Sequence, residues 1–318
     1  MRIIKPKFEI LEQGPGRDGI LQQIKTAGQT CYDSESKRTP EEFTEMLIKS
    51  GHGAMLEHGT VYLYYITKWT GDNFVEKYEN NKFSKVKTEQ FPKTDPHRKG
   101  DDGWVNAQFF ITTNYRVLVE NGWLEDLKYF TTWLDTAAHW EPRITVRFTT
   151  QIAISREYNR HRVDSIAEQS TRYCNYSKDK YNGQIAIAKP TWIDEIIGNN
   201  EDKVDVNFIE LCKNIYLRED TDAKGWNALR YWLFGNLAAE YAYLNMLRLG
   251  RTAQEARTVL PLDTRTELVH TAFLSDWLHF FDLRALGTTG KPHPDAKILA
   301  EPLMHEFERK YGINTDKV

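Results

Sequence analysis

From Gly225 to Leu249 apolar residues recur at three- and four-residue intervals, the spacing of a helix that buries one face along its length. A second stretch with that spacing, Asp205 to Arg218, is expected to join it as core scaffold. Gly250 stands where the longer helix must stop, because glycine tolerates the backbone turn that ends helices. Thr252 and Glu255 then form a capping-box pattern that starts another helix ending before Pro261, so Arg257 is expected on a short helix.

Segments of β character stand between the helical stretches: Val61 to Ile66, Ala107 to Thr113, Ile144 to Phe148 and Thr266 to Phe273. Asn114 to Trp133 and Thr150 to Tyr158 read as helical, and Ser275 is the expected N-cap of a helix running to about Leu286. Lys82 to Gly103, rich in Lys, Asp, Pro and Gly, reads as a surface loop. Strands and helices mix without a βαβ rhythm, internal repeat or low-complexity tract, so the expected fold class is α+β, a mixed sheet packed with long helices. At 318 residues the chain suffices for one large domain, or one domain carrying an insertion.

Composition narrows the function classes. No apolar run approaches the roughly 20 residues of a membrane-spanning helix, and the N-terminus lacks the pattern of a secretory leader. A cytoplasmic protein without a membrane partner is therefore expected. A net charge of −3 argues against a general nucleic-acid surface, so any anion must be met locally. Cys31, Cys174 and Cys212 are widely spaced and form no Cys-x-x-Cys pair, which suggests neither a disulfide framework nor a metal site.

The densest polar cluster runs from Arg160 to Tyr173, with three arginines, a histidine, two carboxylates and three hydroxyl residues before the tyrosine. Guanidinium groups match phosphate oxygens with paired, charge-assisted hydrogen bonds, while Ser, Gln and backbone N–H groups fix sugar and base edges. The same composition also suits a solvated helix face on which Glu168 and Arg172 pair four residues apart. Composition alone leaves both open.

The order of residues adds a resemblance. Arg160-His161-Arg162, seven residues, then Ser170, continuing into Arg172-Tyr173, resembles the signature of flavin-dependent thymidylate synthases. In the same chain order, Gly51-His52 to Glu57-His58 is similar to the Gly-His-x-x-x-x-Glu-His segment of that family. Ala256-Arg257-Thr258-Val259-Leu260-Pro261 is similar to its Ala-Arg-x-x-Leu-Pro element, and Leu283-Arg284 to its closing Leu-Arg. The resemblance runs from about Cys31 to Arg284, leaving residues 68–140 as an expected insertion and the last thirty or so as a variable tail.

The resemblance implies methylation of dUMP to dTMP, with FAD as cofactor and NADPH and 5,10-methylenetetrahydrofolate as co-substrates. It implies that Arg160, His161 and Arg162 hold the flavin, with His52 and Glu57 by the flavin and folate and His279 and Arg284 by the flavin and the pyrimidine. Glu168, Gln169, Ser170, Thr171 and Arg172 would line the dUMP site together with Glu157, Arg160, Arg257 and Arg284. Arg257 and Arg284 carry the catalytic expectation, since an arginine facing a pyrimidine carbonyl, as Arg284 would, stabilises negative charge developing on the ring. Ser170 is expected to bind and not to attack, because no base is evident to activate it. Sites shared between subunits imply a homotetramer.

Some positions depart from the pattern. Glu157 stands where some relatives have Gln, and a carboxylate facing the dUMP phosphate would repel it. Phe273 replaces a polar flavin contact and Ala167 an amide. Tyr173 and Cys174 read as packing residues. The insertion, with Trp104, Phe109, Phe110, Tyr115 and Trp123, suits extra core, an oligomer contact or a folate lid. A nucleotide- or flavin-binding protein without methylating activity is the competing reading, and a nucleic-acid module using Arg160, Arg162 and Arg172 a third.

Overall fold

Strand β6 (Arg143–Gln151) shows how the chain builds its centre. Ile144, Val146 and Phe148 point to one face and Thr145 and Thr149 to the other, as the two-residue period of a strand requires. The computed structural model describes residues 1–67, 72–90, 107–132, 139–193 and 227–315. Within them β6 is a central strand of an antiparallel sheet ordered β2-β6-β9-β7, formed with β2 (Lys7–Leu11), β7 (Ser165–Glu168) and β9 (Arg265–Phe273).

Helices cover both faces of this sheet. On one, Ile144, Val146 and Phe148 pack with Trp277, Phe280 and Phe281 of helix Leu274–Phe281 and with Leu299, Leu303 and Phe307 of helix Pro294–Tyr311. Burial of each such side chain stabilises by about 1.5–3 kcal/mol. On the other, Ala167 and Val269 meet Ile20, Leu21 and Ile24 of α1 (Gly16–Tyr32), which packs on α2 (Pro40–Lys49). Close entry to α1 depends on Gly19, where a Cβ would stand 1.8 Å from the Gly14 carbonyl oxygen.

A second antiparallel sheet, ordered β3-β5-β4, joins β3 (Thr60–Thr67), β5 (Ala107–Asn114) and β4 (Lys85–Gln90). It falls largely within the segment expected as an insertion. Phe109, Ile111 and Tyr115 enter the same core as Ile20 and Leu21, Trp123 packs against that core, and Phe110 packs with Tyr62 and Trp140 on the opposite face. These residues serve as core; Trp104 lies outside the described residues.

Several expectations need correction. Lys85–Gln90 is a strand inside the expected loop, paired from Lys85↔Thr112 to Gln90↔Ala107. The expected helix Asn114 to Trp133 is broken: α3 (Asn73–Glu79) precedes it, and only α4 (Tyr115–Glu120) and a tight turn Leu124–Tyr129 form, separated by Gly122 at φ 71°. Ser275 does not cap its helix. Phe273 occupies the cap position without a side-chain bond, and Ser275 N instead donates to Glu141 Oε1 at 3.0 Å. The expected tail contains the core helix Pro294–Tyr311.

Helix α5 (Ile152–Tyr158) follows β6, as expected. The long helix forms over α6 (Ala228–Arg248) and ends at Gly250 with φ 85°, followed by α7 (Ala253–Ala256) with both capping-box bonds between Thr252 and Glu255. The helices Leu274–Phe281 and Pro294–Tyr311 are α8 and α9. A parallel pair, β1 (Arg2–Ile4) with β8 (Ala186–Ala188), completes the described strands. The stretch Asp205 to Arg218 and Cys212 lie outside the described residues.

Candidate functional site

The signature segment is a strand and a turn, not a helix. After β7 the Gln169 amide donates to Glu267 O at 2.8 Å and the Ser170 amide to Cys31 O on α1 at 2.9 Å. Ser170 O then accepts from the amides of Tyr173 and Cys174 at 3.1 and 3.2 Å. The turn is thereby pinned between β9 and α1. The α7 cap brings up Arg257, whose Nη1 donates to Thr171 Oγ1 at 3.2 Å.

These elements enclose an open cleft of about 730 Å³ lined by Glu168, Gln169, Ser170, Thr171, Arg172 and Arg257, with Arg156 from α5 and Cys31 from α1. Arg156, Arg172 and Arg257 form no ion pair with a carboxylate among the described residues. Glu168, a carboxylate in the lining, is already satisfied: it accepts from Ser155 Oγ at 2.5 Å and Asn159 Nδ2 at 2.9 Å. The buried Gln169 side chain accepts from Arg265 Nη1 at 3.1 Å and donates to Cys174 Sγ at 3.4 Å, so both it and the backbone amide are committed within the protein.

No nucleophile is prepared there. Ser170 Oγ accepts from the Arg172 amide at 3.4 Å, and no histidine or carboxylate bonds it among the described residues. Burial raises the pKa of the Cys31 thiol, with Arg172 opposing, and pushes that of Cys174 up to about 12. Both remain thiols at neutral pH.

A second cluster lies beyond α5. Arg284, in the wide turn Asp282–Leu286, donates through Nη1 to Glu157 Oε2 at 2.7 Å and through Nη2 to Glu157 O at 2.6 Å. Its Nε donates to His161 Nε2 at 3.3 Å, which requires that nitrogen to be unprotonated. Burial, then the neighbouring His270, depress the His161 pKa to about 4. His279 and His270 stand 5.7 and 6.4 Å from the His161 ring, and His270 Nε2 bonds Asp164 Oδ2 at 2.6 Å in full burial. Arg160 and Arg162 are exposed; Arg160 lies 3.6 Å from Glu157, and Arg162 has no ion pair among the described residues.

Within one chain the cleft thus receives Glu168 to Arg172 and Arg257 but neither Glu157 nor Arg284. The carboxylate of Glu157 faces Arg284 and is not part of this cleft's lining. His52 and Glu57 lie elsewhere again. His52 Nδ1 is 2.6 Å from Tyr32 OH and lines a separate cleft of about 620 Å³, and Glu57 accepts from Arg116 Nη1 at 2.6 Å. Phe273 has two cations over its ring, Lys85 Nζ at 4.4 Å and the Arg143 guanidinium at 5.4 Å, and Ala167 is core.

Sequence reasoning missed Arg156 and Arg265. Arg156 precedes Arg160 by one helical turn, a spacing that could have flagged it. Arg265 acts through a tertiary contact with no local signal. No cluster of three or more metal-ligating side chains occurs among the described residues, and no described helix is long and apolar enough to cross a membrane.

Residues 127–311 match the family model described as thymidylate synthase complementing protein. A flavin-dependent thymidylate synthase of Synechocystis sp. (strain ATCC 27184 / PCC 6803 / Kazusa) is 26% identical over 161 residues, which is 50% of this chain and 65% of that protein. The chain therefore spans somewhat under two thirds of that relative. A crystal structure of the UMP/dUMP methylase PolB from Streptomyces cacaoi bound with 5-Br dUMP aligns over 97% of this chain and 93% of its own at 15% identity, with a TM-score of 0.41. The same protein bound with 5-Br UMP aligns over 97% and 92% at 15% identity, with a TM-score of 0.42. Overlaps this loose carry no argument.

Proposed function

Because the chain belongs to the thymidylate synthase complementing protein family, we propose that it is a flavin-dependent thymidylate synthase, converting dUMP to dTMP with 5,10-methylenetetrahydrofolate and NADPH. The observation that carries this reading is the convergence of Arg156, Arg172 and Arg257, none paired with a carboxylate among the described residues, on one cleft that also offers Ser170 and Thr171. Uncommitted guanidiniums beside hydroxyls suit a phosphorylated nucleoside, since the charges are met by phosphate and the hydroxyls by sugar or base.

The residues also fit FAD. Arg160 and Arg162 present exposed guanidiniums beside His161, a buried imidazole held neutral, a donor set matched to a diphosphate and a ring. Bound there, the flavin would supply the reducing chemistry. Arg160, His161 and Arg162 would hold it, with His279 beside them. Arg257 and Arg172 would orient dUMP, and Arg284 would stabilise charge on the pyrimidine.

A single chain keeps these loci apart, which supports assembly of the complete site from several copies, a homotetramer in this reading, in the cytoplasm. The Arg284–Glu157 pair favours a second reading, a nucleotide- or flavin-binding protein that does not methylate, because it holds Arg284 away from the cleft.

An absorbance spectrum of the purified protein, anaerobic NADPH reduction with and without dUMP, and a dTMP assay after adding methylenetetrahydrofolate separate the readings. Bound FAD with dTMP formation is expected. Flavin binding without dTMP selects the second reading, and absence of flavin binding after reconstitution rejects the synthase.

A further inference from the structure

We propose that Arg116, from the segment expected as an insertion, is a positioning residue for Glu57, fixing that carboxylate as a hydrogen-bond acceptor for the flavin; this rests on the flavin-dependent reading. The two residues come from elements tied together through their backbones. Asn114, the last residue of β5, pairs with Thr60 of β3 and caps α4 by accepting from the Val117 amide at 3.1 Å. The Tyr115 amide donates to Gly59 O at 2.8 Å, just past the tight turn Gly53–His58. Arg116, one residue on, is thereby carried alongside that turn.

The guanidinium is held on two sides. Its Nη1 donates to Glu57 Oε1 at 2.6 Å, and its Nε donates to Glu120 Oε1 at 2.7 Å, one turn further along α4. The Glu120 bond, opposed by burial and joined by the Glu57 bond, raises the Arg116 pKa, so the cation is retained throughout the neutral range. Gly53 passes directly against it. A Cβ there would lie 3.1 Å from Arg116 Nε and 3.0 Å from Glu120 Oε1, so the close fit of turn and helix depends on the missing side chain.

Glu57 is left with one free acceptor. Arg116 takes Oε1, Arg143 Nη1 donates to the Glu57 carbonyl at 2.8 Å, and the next residue, His58, is anchored through Nδ1 to Thr271 Oγ1 at 2.8 Å. Oε2 has no partner among the described residues, and the Glu57 side chain is 19% exposed. A carboxylate whose backbone and first oxygen are fixed presents the second in a set direction. That oxygen can only accept, so it suits a ring N–H or a hydroxyl, and a flavin carries both. Glu57 belongs to the Gly-His-x-x-x-x-Glu-His resemblance, whereas Arg116 lies within residues 68–140, so the added segment reaches the expected site through one side chain.

A double-mutant cycle tests this on the full-length protein, freed of flavin and titrated with FAD by fluorescence quenching: the parent, Arg116→Gln, Glu57→Gln and the two together. Arg116→Gln is expected to weaken FAD binding about tenfold in the parent. It should cost less than about twofold once Glu57 is Gln, because the arginine then has no carboxylate to hold. Arg116→Lys keeps the charge without the fork and should recover only part of the loss. Where Arg116→Gln fails to fold, Glu120→Gln, which loosens Arg116 without removing it, runs through the same cycle with a smaller expected loss. An equal loss in both Glu57 backgrounds overturns the assignment, since general damage to the fold would give that result, and so does unchanged FAD affinity throughout. If the coupling is present but no dTMP forms, the methylation reading fails and the positioning role stands. dTMP formation without the coupling keeps the synthase and removes Arg116 from its site, and a parent that binds no FAD removes both.

Discussion

Arginines on the two sides of α5 differ in what holds them. Arg156, Arg172 and Arg257 line the cleft beside the signature turn without a carboxylate partner among the described residues, whereas Arg284 is bound by both the side chain and the carbonyl of Glu157. A guanidinium left unpaired beside a cavity keeps its hydrogen-bonding capacity for a ligand. One that is paired contributes first to the fold. The difference separates guanidiniums that line a cleft from one that joins two segments of the fold, even though the residues are of one type.

The sharpest way to break that contrast is Arg257→Ala. It should weaken dUMP binding by about a hundredfold while shifting unfolding free energy by less than about 0.5 kcal/mol; equal dUMP affinity by calorimetry would remove Arg257 from the site. Arg284→Ala should do the reverse, costing about 2 kcal/mol in urea denaturation by stranding Glu157. Its effect on dUMP binding then reports whether Arg284 reaches a nucleotide in the assembled protein.

Acid should act on the joint and spare the cleft. His161 and His58, with pKa values depressed by burial to about 4 and about 3, are neutral when folded and titrate near 6.5 when unfolded. The stability they contribute is complete above pH 6.5 and is lost as pH falls toward 4 for His161 and 3 for His58. The slope is about 1.4 kcal/mol per pH unit for each, so about 2 kcal/mol each should be gone by pH 5. Protonated His161 can no longer accept from Arg284. Denaturation at pH 7.5, 6 and 5 measures this, and replacing His161 by Asn should flatten the curve. The smallest effect is expected for Glu168→Gln, about 1 kcal/mol of stability with dUMP affinity little altered, because that carboxylate serves Ser155 and Asn159.

What could be read from the sequence was local. The Thr252–Glu255 cap, the stop at Gly250 and the strands flanking the catalytic expectation depend on neighbours a few residues away, and they formed as expected. β4 was hidden because Lys85, Lys87 and Glu89 give its surface a loop-like composition; its pairing with β5 comes from tertiary context. The order of the signature was legible but its conformation was not. The Ser170–Cys31 bond that sets the turn, and the Arg284–Glu157 pair across 127 residues, join segments that the sequence keeps far apart.

The second sheet bears on how the chain can be shortened. Phe109 and Ile111 of β5 share one core with Ile20 and Leu21 of α1. Removing residues 68–140 as though they were an ornament would open an apolar wound on the helix whose end walls both clefts, and the trimmed protein should aggregate. Whatever the origin of that segment, the remainder no longer has an independent surface beneath it.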